Sequence, residues 1–165
     1  MKVTPLFFPA VIFTCLLSGI FISCNKVSEP NYVDAGHTVF TGDGSVSQLV
    51  PAGTSAGTAR LYAVYDNNSK IFNIKLSWYG LSGTMTAANF YGPALNGQTG
   101  PVTRNIVTGQ TKNMTDSVTT VIWNNSSLSP AELDDLKNGK WYYTIITQSN
   151  TGGEIRGQIS IDHTY

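Results

Sequence analysis

Histidine, cysteine and paired carboxylate side chains carry much of enzyme and metal chemistry, and this chain has few of them. Its 165 residues include two histidines, His37 and His163, and two cysteines, Cys15 and Cys24. Zinc and copper sites need several such ligands at bonding distance, and a Ser-His-Asp triad needs a histidine base. We therefore predict no catalytic residue, no bound metal and no cofactor; a site shared by the two histidines is the open alternative.

Two charged residues near the end of the chain could also do chemistry. Glu154 and Arg156 are two apart in a segment that we predict to be a strand, so both side chains point to the same face. There they could form a charge-assisted pair or contact neighbouring backbone. A catalytic carboxylate is one interpretation. We favour a structural ion pair that fixes the last strand beside a loop.

Aromatic side chains are numerous for a chain of this length and could stack on sugar rings. A carbohydrate-binding platform would need two or three of them exposed and coplanar, whereas we expect most to lie in the core. The candidates are Tyr62, Tyr65, Trp78, Tyr79, Phe90, Tyr91, Trp123, Trp141, Tyr142 and Tyr143.

Charge excludes one class of partner. The chain has ten basic and ten acidic residues, whereas a nucleic-acid-binding protein is expected to show a basic excess or a run of Lys and Arg. We therefore predict no nucleic-acid partner. The triplet Asp116-Ser117-Val118 resembles a short acceptor motif for bacterial O-glycosylation, which leaves modification of Ser117 open.

The first residues predict export and lipid attachment. No charge occurs from Val3 to Ser23, and Phe21-Ile22-Ser23-Cys24 resembles the bacterial lipobox, whose cysteine is lipidated and becomes the first residue of the mature protein. We predict a signal peptide at residues 1–23, lipid on Cys24 and a polar tether at 24–36. The protein would then be anchored in a bacterial cell envelope, in the outer membrane by our interpretation. A membrane helix that stays attached is the alternative.

Strand patterns dominate the remaining residues, 37–165. Phe72, Ile74, Leu76 and Trp78 alternate with polar residues, and turn residues at 66–69 join this strand to another at 58–65 in a predicted hairpin. Further strands are predicted at about 45–50, 87–91, 102–107, 117–124, 141–147 and 154–161. These short strands predict an all-β domain, a single antiparallel β-sandwich of Greek-key, immunoglobulin-like or superoxide dismutase-like type.

One short helix interrupts the strands. Ser129 can cap it, Pro130 occupies its first position and Glu132 completes a capping box. Gly139 ends the helix after Leu133 and Leu136 have faced inward. Such a brief helix is a corner between strands rather than a layer of its own.

The segment Gly153-Glu154-Ile155-Arg156-Gly157-Gln158 resembles the closing signature of the CHRD (chordin) domain. Segments at 81–88, 92–102 and 133–143 resemble other parts of that family, and the resemblance spans about residues 38–161. It implies an extracytoplasmic β module in which Gly153, Glu154, Arg156, Gly157 and Gln158 form the family motif; we expect a structural role for them. Where the family often carries histidines, this chain has Asn89, Tyr91 and Ile146, so no metal site is expected.

These observations together predict a lipid-anchored extracytoplasmic CHRD-like module that is not an enzyme. It would bind a protein or glycan, or serve as a scaffold in the envelope. Two alternatives stay open: a carbohydrate-binding module that uses exposed aromatic residues, and a degenerate metalloenzyme-like sandwich.

Overall fold

Nine strands and one α-helix make up most of the residues that the computed structural model describes, 36–112, 117–123 and 128–164. The predicted signal peptide, Cys24 and the predicted tether up to residue 35 lie outside the described residues. In chain order the strands are β1 (His37–Ser45), β2 (Thr58–Asp66), β3 (Phe72–Tyr79), β4 (Met85–Tyr91), β5 (Val102–Lys112), β6 (Ser117–Trp123), β7 (Tyr142–Thr147), β8 (Ile155–Gln158) and β9 (Ser160–Thr164). A short 3-10 helix spans Val46–Gln48, and helix α1 spans Pro130–Lys137.

The predicted hairpin is confirmed. Strands β2 and β3 pair antiparallel along their length, from Thr58 opposite Tyr79 to Tyr65 opposite Phe72. The side chains of the turn close it, since Asp66 accepts hydrogen bonds from the backbone N–H groups of Asn68 and Ser69. The predicted alternation of apolar and polar residues in β3 is confirmed. Its apolar residues are buried on one face: Phe72, Ile74, Leu76 and Trp78.

The strands form one antiparallel sheet that bends into two halves. One half has the order β5-β4-β7-β8 and the other the order β9-β1-β2-β3-β6. A single register pair, Ser45 with Arg156, joins β1 to β8. The predicted all-β class with one short helix is confirmed, and the continuity of the sheet is a finding that the sequence did not provide.

The last predicted strand, 154–161, is two strands. At Ile159 the chain leaves β8, which pairs with β7, and enters β9, which pairs with β1. Ile159 is buried, and its N–H donates to the carbonyl oxygen of Trp141 over 2.9 Å. Strands that change sheets at such a bend form the corners of β-sandwiches.

The core lies between the two halves of the sheet. It draws Phe40, Leu61 and Leu76 from one half and Phe90 and Ile145 from the other, all fully buried. Apolar burial of this extent is the main stabilising contribution to the domain.

Strand β1 differs from the sequence-based expectation, which placed a first strand at about 45–50. The strand runs from His37 to Ser45, and the 3-10 helix follows it. Gly42 and Gly44 of β1 face the buried ring of Tyr143, whose hydroxyl donates to the carbonyl oxygen of Gly42 over 3.1 Å. Glycine is needed there because a side chain would occupy the space of that ring.

The helix prediction is confirmed in detail. The N–H of Glu132 donates to Ser129 Oγ, the N–H of Ser129 donates to the Glu132 carboxylate, and Gly139 follows the helix with φ of +67°. Leu136 is fully buried and Leu133 packs partly against the core. Across the described residues, the structure has no helix with the length and apolar character needed to cross a membrane.

Candidate functional site

Glu154 is a buried carboxylate that neutral donors surround. Its Oε1 accepts from Ser55 Oγ and from the Ser82 backbone N–H, both over 2.6 Å. Its Oε2 accepts from Ser82 Oγ over 2.9 Å, Thr147 Oγ1 over 2.7 Å and Asn150 Nδ2 over 3.3 Å. The donors come from the β1–β2 connection, the β3–β4 connection, the end of β7 and the β7–β8 connection, so one carboxylate ties four parts of the chain together.

The ionised form of Glu154 is the favoured one. Burial by itself would raise the pKa of Glu154, but hydrogen bonds from Ser55, Ser82 and Thr147 outweigh it and hold the pKa below its usual value. Such a carboxylate has its lone pairs occupied and is poorly suited to take a proton from a substrate. This arrangement supports the structural interpretation over the catalytic one.

Arg156 does not pair with Glu154, and the ion-pair prediction was wrong. Glu154 precedes β8, which begins at Ile155, and Gly153 before it has φ of +119°. The alternation of strand side chains therefore does not extend to Glu154. The Arg156 guanidinium instead donates from Nη2 to the carbonyl oxygen of Leu95 over 3.4 Å and to Gln158 Oε1 over 3.0 Å. The sequence also suggested that Arg156 could contact neighbouring backbone, and its hydrogen bond to the carbonyl oxygen of Leu95 is such a contact.

The guanidinium of Arg156 is buried without an anion. Its side chain is 1% exposed, its Nε has no hydrogen-bond partner, and no carboxylate of the described residues lies within ion-pair distance. Its carbon Cζ lies 3.6 Å from the ring centroid of Tyr142, a cation–π contact. Burial lowers the pKa of Arg156, and the neighbouring Tyr142 acts in the opposite direction.

Strand pairing sets Arg156 in a polar row on the outer face of one half-sheet. Asn89 of β4 lies opposite Thr144 of β7, and Thr144 lies opposite Arg156 of β8. Cross-strand partners share a face, so the three side chains are neighbours on the face that turns away from the core. Asn89 Oδ1 is buried and, like Arg156 Nε, lacks a partner among the residues that the structure describes. Two unsatisfied polar groups in one row are unusual.

The next row carries two stacked tyrosines. Tyr91 lies opposite Tyr142, and their rings stack with centroids 5.1 Å apart and planes inclined by 7°. Since β7 lies between β4 and β8, Tyr91 covers one face of Tyr142 and Arg156 covers the other. The sequence predicted Asn89 and Tyr91 to stand at family histidine positions, and the structure places both on this outer face.

A cleft of about 100 Å³ opens on this face, room for about three water molecules. Arg156, Tyr91 and Tyr142 were candidates from the sequence, whereas the other residues that line the cleft were not predicted. The signal for Tyr142 and Thr144 was present, because they alternate with the core residues Tyr143 and Ile145. The lining consists of Leu49, Val50, Tyr91, Thr99, Tyr142, Thr144, Gly152 and Arg156.

The remaining motif residues have packing roles. A Cβ on Gly157 would lie 2.4 Å from Cε1 of the buried Tyr143 ring, so this position requires glycine. Gln158 Nε2 donates to the carbonyl oxygens of Ala94 over 3.0 Å and of Gly139 over 2.8 Å. These contacts agree with the structural role expected for the motif.

The two histidines come closer than their positions in the chain suggested. Strand β9 pairs with β1 and sets His163 opposite Val39, two residues from His37. Each is near an aspartate: His37 Nε2 is 3.7 Å from Asp66 Oδ2, and His163 Nδ1 is 2.7 Å from Asp162 Oδ2. Within the described ranges no three His, Cys, Asp or Glu side chains are grouped to hold a metal. The absence of a metal stays a prediction.

Among the aromatic candidates in the described part of the structure, one side chain is exposed. Tyr79 is 66% exposed, Tyr62 and Tyr91 are partly buried, and the other described candidates are buried. The structure does not describe the side chains of Trp123 and Ser117. Carbohydrate binding and glycosylation therefore stay predictions.

Comparison with protein families gives a single assignment. The profile described as the CHRD domain matches residues 38–159. Comparisons with curated proteins and with solved structures returned no match. The matched residues include strands β1 to β8 apart from His37, the residues that line the cleft, and the signature that supplies Arg156. Strand β9 follows the matched range. The chain therefore belongs to the CHRD domain family.

Proposed function

We propose that this protein is a lipid-anchored, non-enzymatic binding module of a bacterial cell envelope. The observation that carries the binding role is the cleft on the outer face of the β5-β4-β7-β8 half, lined by hydroxyl, aromatic and guanidinium groups. Groups of this kind hold a ligand by hydrogen bonds and stacking. The motif carboxylate that could have acted as a base, Glu154, is saturated with hydrogen bonds instead.

The anchoring role is supported by the sequence at residues 21–24. A lipidated N-terminal cysteine supplies the two or more acyl chains that stable membrane attachment needs. The polar tether at 24–36 would then separate the membrane from the domain that begins at His37. A scaffold role in the envelope is compatible with the same anchoring.

Anchoring is tested by expressing Cys24→Ala with Cys15→Ala as the matched control. Incorporation of labelled fatty acid and partition into detergent are measured for each. We expect the label and the membrane partition to be lost in Cys24→Ala and kept in Cys15→Ala. Equal labelling and partition of both variants would contradict the proposal.

Binding is tested with the full chain in detergent. A glycan array and a pull-down from envelope extract report the two predicted ligand classes. We expect a saturable ligand in one of them, competed by untagged protein. A domain that binds no component in either assay, while it is still lipidated, would favour the scaffold role over binding.

A further inference from the structure

We propose that the cleft beside Arg156 binds the terminal carboxylate of a peptide whose last side chain is apolar. This inference rests on the proposed binding function and names the ligand class of the same cleft. It follows from the unbalanced charge, from the size and polarity of the cleft, and from its apolar rim.

Arg156 is a buried cation whose hydrogen bonds to the described residues use only Nη2. Its Nε, which is itself buried, has no partner among them. The half-exposed Arg104, in contrast, holds Glu132 through two hydrogen bonds of 3.1 and 2.9 Å. A buried charge without a counter-charge is costly, so an anion brought by a ligand fits Arg156 better than solvent does.

The charge and size of the cleft favour a carboxylate over a phosphate. The cleft measures about 100 Å³, and Arg156 is the one cation among the described residues that line it, whereas phosphate sites commonly combine several cations or a helix N-terminus. A guanidinium matches the planar carboxylate in charge and geometry. Thr99 and Thr144 in the lining add hydroxyl donors.

The residues beside Arg156 favour a carboxylate that carries an apolar group. Leu49 and Val50 line the cleft, and Val50 is 47% exposed, so an apolar last side chain would find apolar contact there.

A sugar acid is the weaker candidate. Sugars bind by stacking on a free aromatic face, and both faces of Tyr142 are covered, by Arg156 and by Tyr91. The outer face of Tyr91 is the remaining surface of that stack. Uronic acids therefore serve as a test of the assignment.

The experiment follows the arginine Nε–H resonances of the full chain by NMR. The chain has three arginines, Arg60, Arg104 and Arg156, so the spectrum is simple and Arg104 serves as an internal control. The probes are N-acetyl-leucine, its neutral amide and galacturonate. We expect N-acetyl-leucine to shift the Arg156 resonance with saturation, and the amide to bind about tenfold or more weakly because it lacks the charge.

A rim variant tests the site without removing Arg156. Val50→Asp sets a carboxylate beside the cleft and should weaken N-acetyl-leucine binding about tenfold, while Ile161→Asp, at a similarly exposed residue of β9, should not change it. Absence of saturable binding, equal binding of the amide, or an unaffected Val50→Asp would overturn the site. Tighter binding of galacturonate would overturn the peptide assignment. Lipidation and pull-down are separate assays. A failure of the peptide-carboxylate site can therefore be distinguished from a failure of the proposed function.

Discussion

Glu154 and Arg156 stand two residues apart and each is 1% exposed, but their surroundings differ. The carboxylate accepts five hydrogen bonds from loop and strand donors. The guanidinium uses Nη2 and leaves Nε without a partner among the described residues. A fully satisfied charge belongs to the fold, since a ligand has nothing to add. Under the proposed binding function, the incompletely satisfied charge would serve recognition, and one short motif would combine the two roles.

Replacing Glu154 should have the largest effect on stability. In Glu154→Gln an amide NH₂ group faces hydroxyl and N–H donors, so buried donors lose their acceptor and the free energy of unfolding should fall by about 3 kcal/mol. Urea unfolding of the full chain measures it. Glu132→Gln is the control, because that half-exposed pair with Arg104 should lose under about 1 kcal/mol. Equal losses of unfolding free energy in Glu154→Gln and Glu132→Gln would contradict the larger structural role given to Glu154.

The same carboxylate should make stability depend on acidic pH. Hydrogen bonds hold the pKa of Glu154 in the folded protein below its unfolded value. Its contribution is therefore complete above the unfolded pKa, about 4.3, and is lost as pH falls through the folded pKa. The difference in unfolding free energy between the wild type and Glu154→Gln should shrink below that pH. A difference that stays constant from pH 7 to pH 3 would mean that the pKa of Glu154 is the same in the folded and the unfolded protein.

Replacing Arg156 should have a smaller effect than replacing Glu154. In Arg156→Lys the bonds from Nη2 to Leu95 and Gln158 and the stacking on Tyr142 are lost, with about 2 kcal/mol of stability. Thermal and urea unfolding measure the loss. A loss as large as that of Glu154→Gln would indicate that the guanidinium is as much a part of the fold as the carboxylate.

The smallest expected quantity is the coupling between the two residues. They share no hydrogen-bond partner, so a double-mutant cycle of Glu154→Gln and Arg156→Lys should give a coupling energy under about 1 kcal/mol. Urea unfolding of the four proteins measures it. A larger coupling would restore the ion pair that the sequence suggested.

Local patterns predicted the elements whose residues interact mainly with near neighbours. The β2–β3 hairpin followed from alternation and the turn at 66–69, and helix α1 followed from Ser129, Pro130 and Glu132. Strand β1 was missed because it depends on a distant residue. Its glycines at 42 and 44 make room for Tyr143 of β7, and glycine in a sequence reads as a turn.

The cleft could be predicted only in fragments. Alternation identifies which residues of β4 and β7 share the outer face, but the pairing of β4 with β7 and of β7 with β8 brings Asn89, Thr144 and Arg156 into one row. That order of strands follows from long-range packing. Spacing also suggested a Glu154–Arg156 pair, whereas Glu154 lies before β8 and accepts hydrogen bonds from loop residues instead.

The bend at Ile159 has a consequence for how the domain can be joined to other proteins. By sending β9 across to β1, it sets Thr164 opposite Thr38, so the first and last strands of the domain are ladder neighbours. A domain whose two ends leave from adjacent positions can be inserted into a surface loop of a host protein with short linkers on both sides. It is also a suitable starting point for circular permutation, with new ends opened in the turn at 66–69 and the old ones joined.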